Sequence, residues 1–160
     1  MTQTPRTPDL AAQRAALQKL EFLLGKWSGD GRMFRSGEAV DFFQTERAEY
    51  QLDGLLLLIE GIGRSKPDGK LILQALGIIS YDDEVEAYHM RAYNNGRYVE
   101  TEVRLEASGK CLTWGFALGE IRTKSVLRLD EQGRWTERHE MIMGTQPARK
   151  FMELMVSREA

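Results

Sequence analysis

His89, His139 and Cys111 are the only imidazole and thiol groups in the chain, so any zinc centre or thiol chemistry has to be built from them. Their spacing does not build one. Zinc sites draw on closely spaced His and Cys ligands, whereas here the two histidines are far apart and the cysteine is single. No metal site is expected. Gly29-x-Gly31 sits inside a strand-like stretch with no helix pattern after it, which fails the context a phosphate or dinucleotide loop requires. Asp82, Asp83 and Glu84 are adjacent acids in a turn without the calcium-loop spacing, and read as a solvated hairpin. No nucleophile elbow is present, and the catalytic residues, if there are any, stay unassigned.

What remains is a set of polar groups that alternation places among apolar ones. Strand side chains alternate between two faces. Over Trp135 to Met143, Trp135, Met141 and Met143 share a face opposite Thr136, Arg138 and Glu140, which puts Glu137 and His139 on the apolar, inward side. Over Val40 to Leu52, Ala48, Tyr50 and Leu52 lie opposite Thr45, Arg47, Glu49 and Gln51, and Glu46 falls inward with the first set. A buried polar group without a partner costs on the order of 1 to 3 kcal/mol. Glu46, Glu137 and His139 are therefore either a satisfied interior network or a polar anchor at one end of an apolar cavity. A carboxylate there would have its pKa raised by desolvation, which is what acid/base work near neutral pH needs. Whether this is an enzyme is left open, with binding preferred.

These residues need strands to position them, and the chain supplies strands almost throughout. Thr7-Pro8-Asp9 reads as a helix start, with Thr7 as N-cap and Pro8 in the first helical position. The helix spans about residues 8–24, with Leu10, Leu17, Leu20 and Leu24 as its apolar stripe. Residues 1–7 read as a loose tail. From Gly25 on there are ten strand-like runs: Lys26 to Phe34, Val40 to Leu52, Leu55 to Gly63, Leu71 to Ser80, Val85 to Tyr93, Tyr98 to Ala107, Cys111 to Leu118, Ile121 to Leu129, Trp135 to Met143 and Lys150 to Ser157. Asp53-Gly54 and Asn95-Gly96 are type I′ hairpin signals. The connections are too short for parallel crossovers, so the strands form an antiparallel meander. Closing it removes its two edges and leaves room for side chains or one small ligand. The expected fold is all-β, an antiparallel up-and-down barrel of about ten strands with a short N-terminal helix. A sandwich is the alternative, but no Greek-key crossover is visible. The run Val85 to Tyr93 does not phase. Leu55 to Ile59 is apolar on both faces, so its outer side needs a cover, either the helix or a second copy of the chain.

The 160 residues read as a single domain, with 22 basic against 24 acidic residues, 42% hydrophobic and 29% charged. Near-neutral charge gives no reason to expect a nucleic-acid partner. The unpaired cysteine and the absence of an apolar signal core in Met1 to Arg14 point to a cytoplasmic protein. No run approaches the roughly 20 apolar residues of a membrane-spanning helix.

Trp27, Gly29, Gly31 and Met33 share one face of the first strand, a large ring followed by two glycines, as suits the narrow end of a barrel. Gly25-x-Trp27 after a short helix resembles the first-strand signature of the lipocalin and fatty-acid-binding superfamily. From Leu23-Leu24-Gly25-x-Trp27-x-Gly29-x-Gly31 through Leu52-Asp53-Gly54 to Gly77-x-x-x-Tyr81-Asp82, the chain resembles a bacterial family of lipocalin-like, calycin-type barrels of unknown function, over roughly residues 20–158. The resemblance implies a lipocalin-like barrel, with Gly25, Trp27, Gly29 and Gly31 structural. More distantly similar are the nitrobindin-like barrels, which hold haem through a histidine near the chain end. Arg149 to Met155 contains no histidine here and His139 lies one strand earlier, so neither haem nor any other cofactor is expected. The reading is a barrel that binds a small apolar or amphipathic molecule, with Glu46, Tyr50, Trp135, Glu137, His139 and Met141 near the cavity. The alternatives are an enzyme using an inward carboxylate or histidine, and a packed barrel serving as a dimerisation or interaction module. A homodimer is the partner expected beyond the small molecule.

Overall fold

The computed structural model describes residues 5–160. Eleven strand segments follow one helix and one 3-10 turn: β1 (Gly25–Arg35), β2 (Glu38–Gln51), β3 (Leu56–Ser65), β4 (Leu71–Asp82), β5 (Ala87–Asn94), β6 (Arg97–Leu105), β7 (Cys111–Trp114), β8 (Ala117–Leu118), β9 (Ile121–Leu129), β10 (Trp135–Met143) and β11 (Arg149–Arg158). All pairings are antiparallel between chain neighbours, except that β7 and β8 both pair with β9, and β1 pairs with β11 from Trp27↔Arg158 to Met33↔Met152. The last pairing closes a ten-stranded up-and-down barrel in which β7 and β8 are two pieces of one strand. The break falls at Gly115-Phe116, where the Phe116 N–H leaves the ladder for the Thr123 hydroxyl at 3.1 Å. The expected run Cys111 to Leu118 is therefore interrupted, because one backbone donor has been satisfied by a side chain.

The turns follow backbone chemistry. Asn95-Gly96 has φ of +49° and +83° between Asn94 and its ladder partner Arg97, a two-residue type I′ turn. Asp53-Gly54 also has positive φ at both residues, but Leu52 joins them at +51°, and the ladder ends at Gln51↔Leu56. Leu52 consequently leaves the apolar face on which alternation placed it, and it is exposed. Val85 likewise lies in the turn before β5. This is why Val85 to Tyr93 does not phase: the strand begins at Ala87, with Tyr88 and Met90 buried and His89, Arg91 and Tyr93 on the outer wall.

Helix α1 covers Leu10–Gln18 and is followed by a 3-10 turn at Glu21–Leu23. Its N-cap is Asp9 rather than Thr7, with the Asp9 carboxylate accepting from Ala12 N–H at 3.0 Å. The helix also ends earlier than the periodicity implies, as the chain tightens to i→i−3 bonds from Leu20 N–H to Leu17 O and Leu23 N–H to Leu20 O. Ala16 and Leu17 of the helix and Leu20 and Leu23 of the tighter turn are buried, while Leu10 is exposed. Three barrel side chains, making four hydrogen bonds, hold α1 across one end of the barrel. Tyr50 donates to Leu17 O at 2.8 Å, Tyr88 donates to Ala16 O at 2.7 Å, and Asp83 accepts from Asp9 N–H and the Gln13 side chain. Burial, with Tyr81 and Tyr50 nearby, pushes the Tyr88 hydroxyl up to about 12.

Beneath the helix, Trp27 and Trp135 are both fully buried and meet edge to face with ring centroids 5.5 Å apart. They belong to a large apolar cluster that includes Leu57, Ile79, Leu127 and Val156. Leu57 is thus a core residue and not part of an outer apolar wall, although Leu56 and Leu58, which alternate with it, are half-buried. A second, smaller cluster of Met33, Phe42, Leu73 and Met152 lies toward the other end. No helix among the described residues is long and apolar enough to cross a membrane.

Candidate functional site

A polar layer separates the two apolar clusters. Along β2 the inward residues run Ala48, Glu46, Gln44, Phe42, from the first cluster to the second. Along β10 they run Trp135, Glu137, His139. Ser125 of β9 stands directly opposite His139 in the ladder. Glycines flank the β2 side chains and make the layer possible. A Cβ on Gly61 would lie 2.8 Å from a Glu46 carboxylate oxygen, and one on Gly63 would lie 2.9 Å from the Gln44 carbonyl oxygen. A Cβ on Gly31 would run into the Phe42 ring. The Phe42 ring thus occupies the space a side chain at Gly31 would take, whereas at Gly29 it is the β11 backbone at Met155 and Val156 that leaves no room for a Cβ.

The hydrogen bonds form a chain on one side of the layer. The Trp135 indole donates to Glu137 Oε1 at 2.9 Å, and Glu137 Oε2 meets His139 Nε2 at 2.8 Å. His139 Nδ1 in turn meets the Ser125 hydroxyl at 2.7 Å. With its proton on Nε2 the ring donates to Glu137 and accepts from Ser125. Trp114 and Phe151 flank the imidazole at centroid distances of 6.0 and 5.9 Å. Phe151 reaches it through the register shift between His139 and Glu140 in the β10–β11 ladder. Glu137 and His139 keep 12% and 11% side-chain exposure, so solvent reaches the layer.

The other side of the layer is incompletely satisfied. Gln44 donates through Nε2 to Glu46 Oε1 at 2.6 Å. The Gln44 carbonyl oxygen has no partner among the described residues, though the residue is only 1% exposed. Burial, reinforced by the nearby charge of Glu137 and partly offset by the Gln44 bond, holds the Glu46 carboxyl well above its ordinary range. Glu46 is therefore the acid of the layer.

Of the residues that alternation selected, the structure brings Glu46, Trp135, Glu137 and His139 into or beside one layer. It does not bring Tyr50 there, whose hydroxyl is spent on the helix. Met141 lies beyond the register shift and is half-buried, while Met143 is exposed. Gln44 and Ser125 were missed. Gln44 has the same parity as Glu46, and Ser125 the same parity as Leu127, but neither position is apolar enough to mark its face. Cys111 is half-buried with its thiol pushed up by burial and by Glu106, which makes it a poor nucleophile. Both ring nitrogens of His139 are engaged by protein groups, so binding haem iron would first require breaking one of these bonds. Among the described residues no group of three His, Cys, Asp or Glu is placed to hold a metal ion. The Ser125–His139–Glu137 chain can pass a proton, but Ser125 is buried and a nucleophile needs access.

Two concavities lie outside the barrel. One, of about 510 Å³, runs over the outer wall of β9, β10 and β11 beside Arg128, Arg138 and Met155. The other, of about 250 Å³, lies between α1 and the β2–β3 turn.

The architecture defines a closed, ten-stranded antiparallel barrel capped by a short helix. Among solved structures the chain is similar to the crystal structure of Rv2717c from M. tuberculosis, with a TM-score of 0.70 and 15% identity, covering 91% of this chain and 98% of that one. At that identity the likeness shows the fold alone. No family model and no curated protein matches the sequence.

Proposed function

We propose that the barrel, a lipocalin-like carrier, takes one small amphipathic molecule into its interior and holds the molecule's polar end at the Gln44–Glu46–Glu137–His139 layer. The carrying observation is the Gln44 carbonyl oxygen, a buried acceptor without a partner among the described residues. Such an atom costs about 1 to 3 kcal/mol, which a ligand donor would recover. The ligand body would lie against the small residues Ala75, Gly77 and Ala92 on the wall of β4 and β5. A Cβ on Gly77 would meet nothing closer than Met90 Sδ at 3.5 Å. Entry is from the end opposite α1, where Trp114, Met141 and Phe151 are only half-buried and can swing aside.

The test is titration with a neutral solvatochromic dye such as Nile red, followed by dye emission and by quenching of tryptophan fluorescence. One dye per chain at about micromolar affinity is expected, lost in Gly77→Leu, which fills the interior while leaving the outer groove intact. No binding to folded protein, or binding indifferent to Gly77→Leu, overturns the proposal.

A further inference from the structure

Resting on the interior-binding reading, we infer that the ligand is an amphipathic amine, its ammonium head seated between Glu46 and Glu137 and donating a hydrogen bond to the unpartnered Gln44 carbonyl.

The argument is a count of donors, acceptors and charge. The layer holds five side-chain oxygens, two each on Glu46 and Glu137 and one on Gln44; one of the Glu46 oxygens bears the carboxyl's own proton, which leaves four acceptors. The protein supplies donors to three of them, from Trp135, His139 and Gln44 itself. The charge is similarly unbalanced. Every lysine or arginine ion pair among the described residues joins other carboxylates, and Glu137 is met there by the Trp135 indole and the His139 imidazole. A fatty acid would bring a further negative charge to this acceptor-rich layer. An alcohol would satisfy Gln44 but leave the carboxylates as they are. An ammonium group brings up to three donors and the missing positive charge, which fits both deficits.

The groups facing Glu46 are few. Across the ladders it meets Trp27 of β1 and Gly61 of β3, and on its own strand Gln44, none of which titrates. The charge of Glu137, which is hydrogen-bonded to His139, also acts on Glu46. Arg158 of β11 lies on the far face of Trp27, 4.1 Å from the ring centroid, and donates to the Phe22 carbonyl at 3.1 Å. An ammonium ion arriving beside Glu46 favours the ionised carboxylate, so a proton leaves Glu46 for solvent as the amine binds. Amine affinity should then rise with pH over the range in which the amine stays protonated.

The experiment uses decylamine, decanol and decanoate below their micellar concentrations, competing with Nile red and measured directly by isothermal titration calorimetry. Decylamine should bind at least about tenfold tighter than decanol, and decanoate weakest of the three. In Glu46→Gln and Glu137→Gln, which keep shape and remove charge, the amine preference over decanol, taken as the ratio of the two affinities within each variant, should fall toward unity. Calorimetry in buffers of different ionisation enthalpy should show proton release with decylamine that disappears in Glu46→Gln. Decanoate binding as tightly as decylamine, or an amine preference unchanged in both variants, overturns the inference while leaving interior binding intact. Failure of all three compounds to displace the dye or to bind sinks the interior-binding reading itself.

Discussion

Glu46 makes a prediction whose sign is fixed by its surroundings. In the unfolded chain its carboxyl titrates near the ordinary 4.5, whereas in the folded barrel burial and the charge of Glu137 hold it well above that. Between those two values the folded state carries a proton that the unfolded state has lost. Stability then falls as pH rises, by up to about 1.4 kcal/mol per pH unit for a single group, and levels off once pH passes the folded value. Glu46→Gln has no proton to lose. It also gives the layer an amide able to donate to the Gln44 carbonyl oxygen, a bond worth about 1 kcal/mol. The variant should therefore match the wild type near pH 5 or slightly exceed it, and become progressively more stable than the wild type toward about pH 8. The surface carboxylates Asp41, Asp68, Asp83 and Asp130, held below their ordinary range by hydrogen bonds and nearby cations, produce the opposite slope at acid pH. They are common to both proteins, so the difference between the two curves isolates Glu46. Urea unfolding followed by tryptophan emission at half-unit pH steps measures it. Parallel curves for wild type and variant would show that Glu46 ionises freely in the fold, and the description of the layer would be wrong.

Trp27→Ala should cost about 3 to 5 kcal/mol in the same assay, since it empties a fully buried aromatic site. Trp27→Phe should cost about 1 to 2 kcal/mol, because the indole N–H that donates to Leu23 O at 2.9 Å is lost while most of the ring remains. Tyr88→Phe removes the bond to Ala16 O and should lose about 0.5 to 1.5 kcal/mol. Hydrogen exchange should then rise in residues 10–18 before it rises in the barrel. Gly61→Ala should destabilise by about 1 to 3 kcal/mol through displacement of the Glu46 carboxylate, and it should shrink the pH slope described above.

The barrel was legible because its determinants are local. Turn pairs such as Asn95-Gly96 set register, and alternation in β2 and β10 assigned Glu46, Glu137 and His139 to the inside with no knowledge of their partners. Legibility failed where one element's conformation depends on another. Asp9 displaces Thr7 as the cap because its carboxylate caps Ala12 while Asp83, from a distant turn, holds its N–H. Leu10 has the helical spacing of a core residue but is exposed at the first position of the helix. Tyr50 has inward parity, yet the helix that claims its hydroxyl is more than thirty positions away. Gln44 and Ser125 are polar residues at inward positions, and only cross-strand register shows that Ser125 faces His139. Whether an inward carboxylate is ionised or protonated likewise depends on which other charge shares its space, and no spacing along the chain reports that.

The β1–β11 ladder has a consequence for how the molecule is made. It joins Trp27 to Arg158, and Arg158 then reaches past the ladder to the carbonyls of Phe22 and Leu24. A hairpin meander can zip locally from any turn, but this seam joins segments that the whole meander separates, and its loop-closure entropy must be met before any of its bonds form. Until then β1 and β11 are two open edges with unpaired backbone groups, able to template pairing with another chain. During synthesis β1 emerges early and waits for a partner that the ribosome has not yet released. The ring therefore closes only after β11 has emerged, and the interval before closure is when the barrel is most exposed to aggregation.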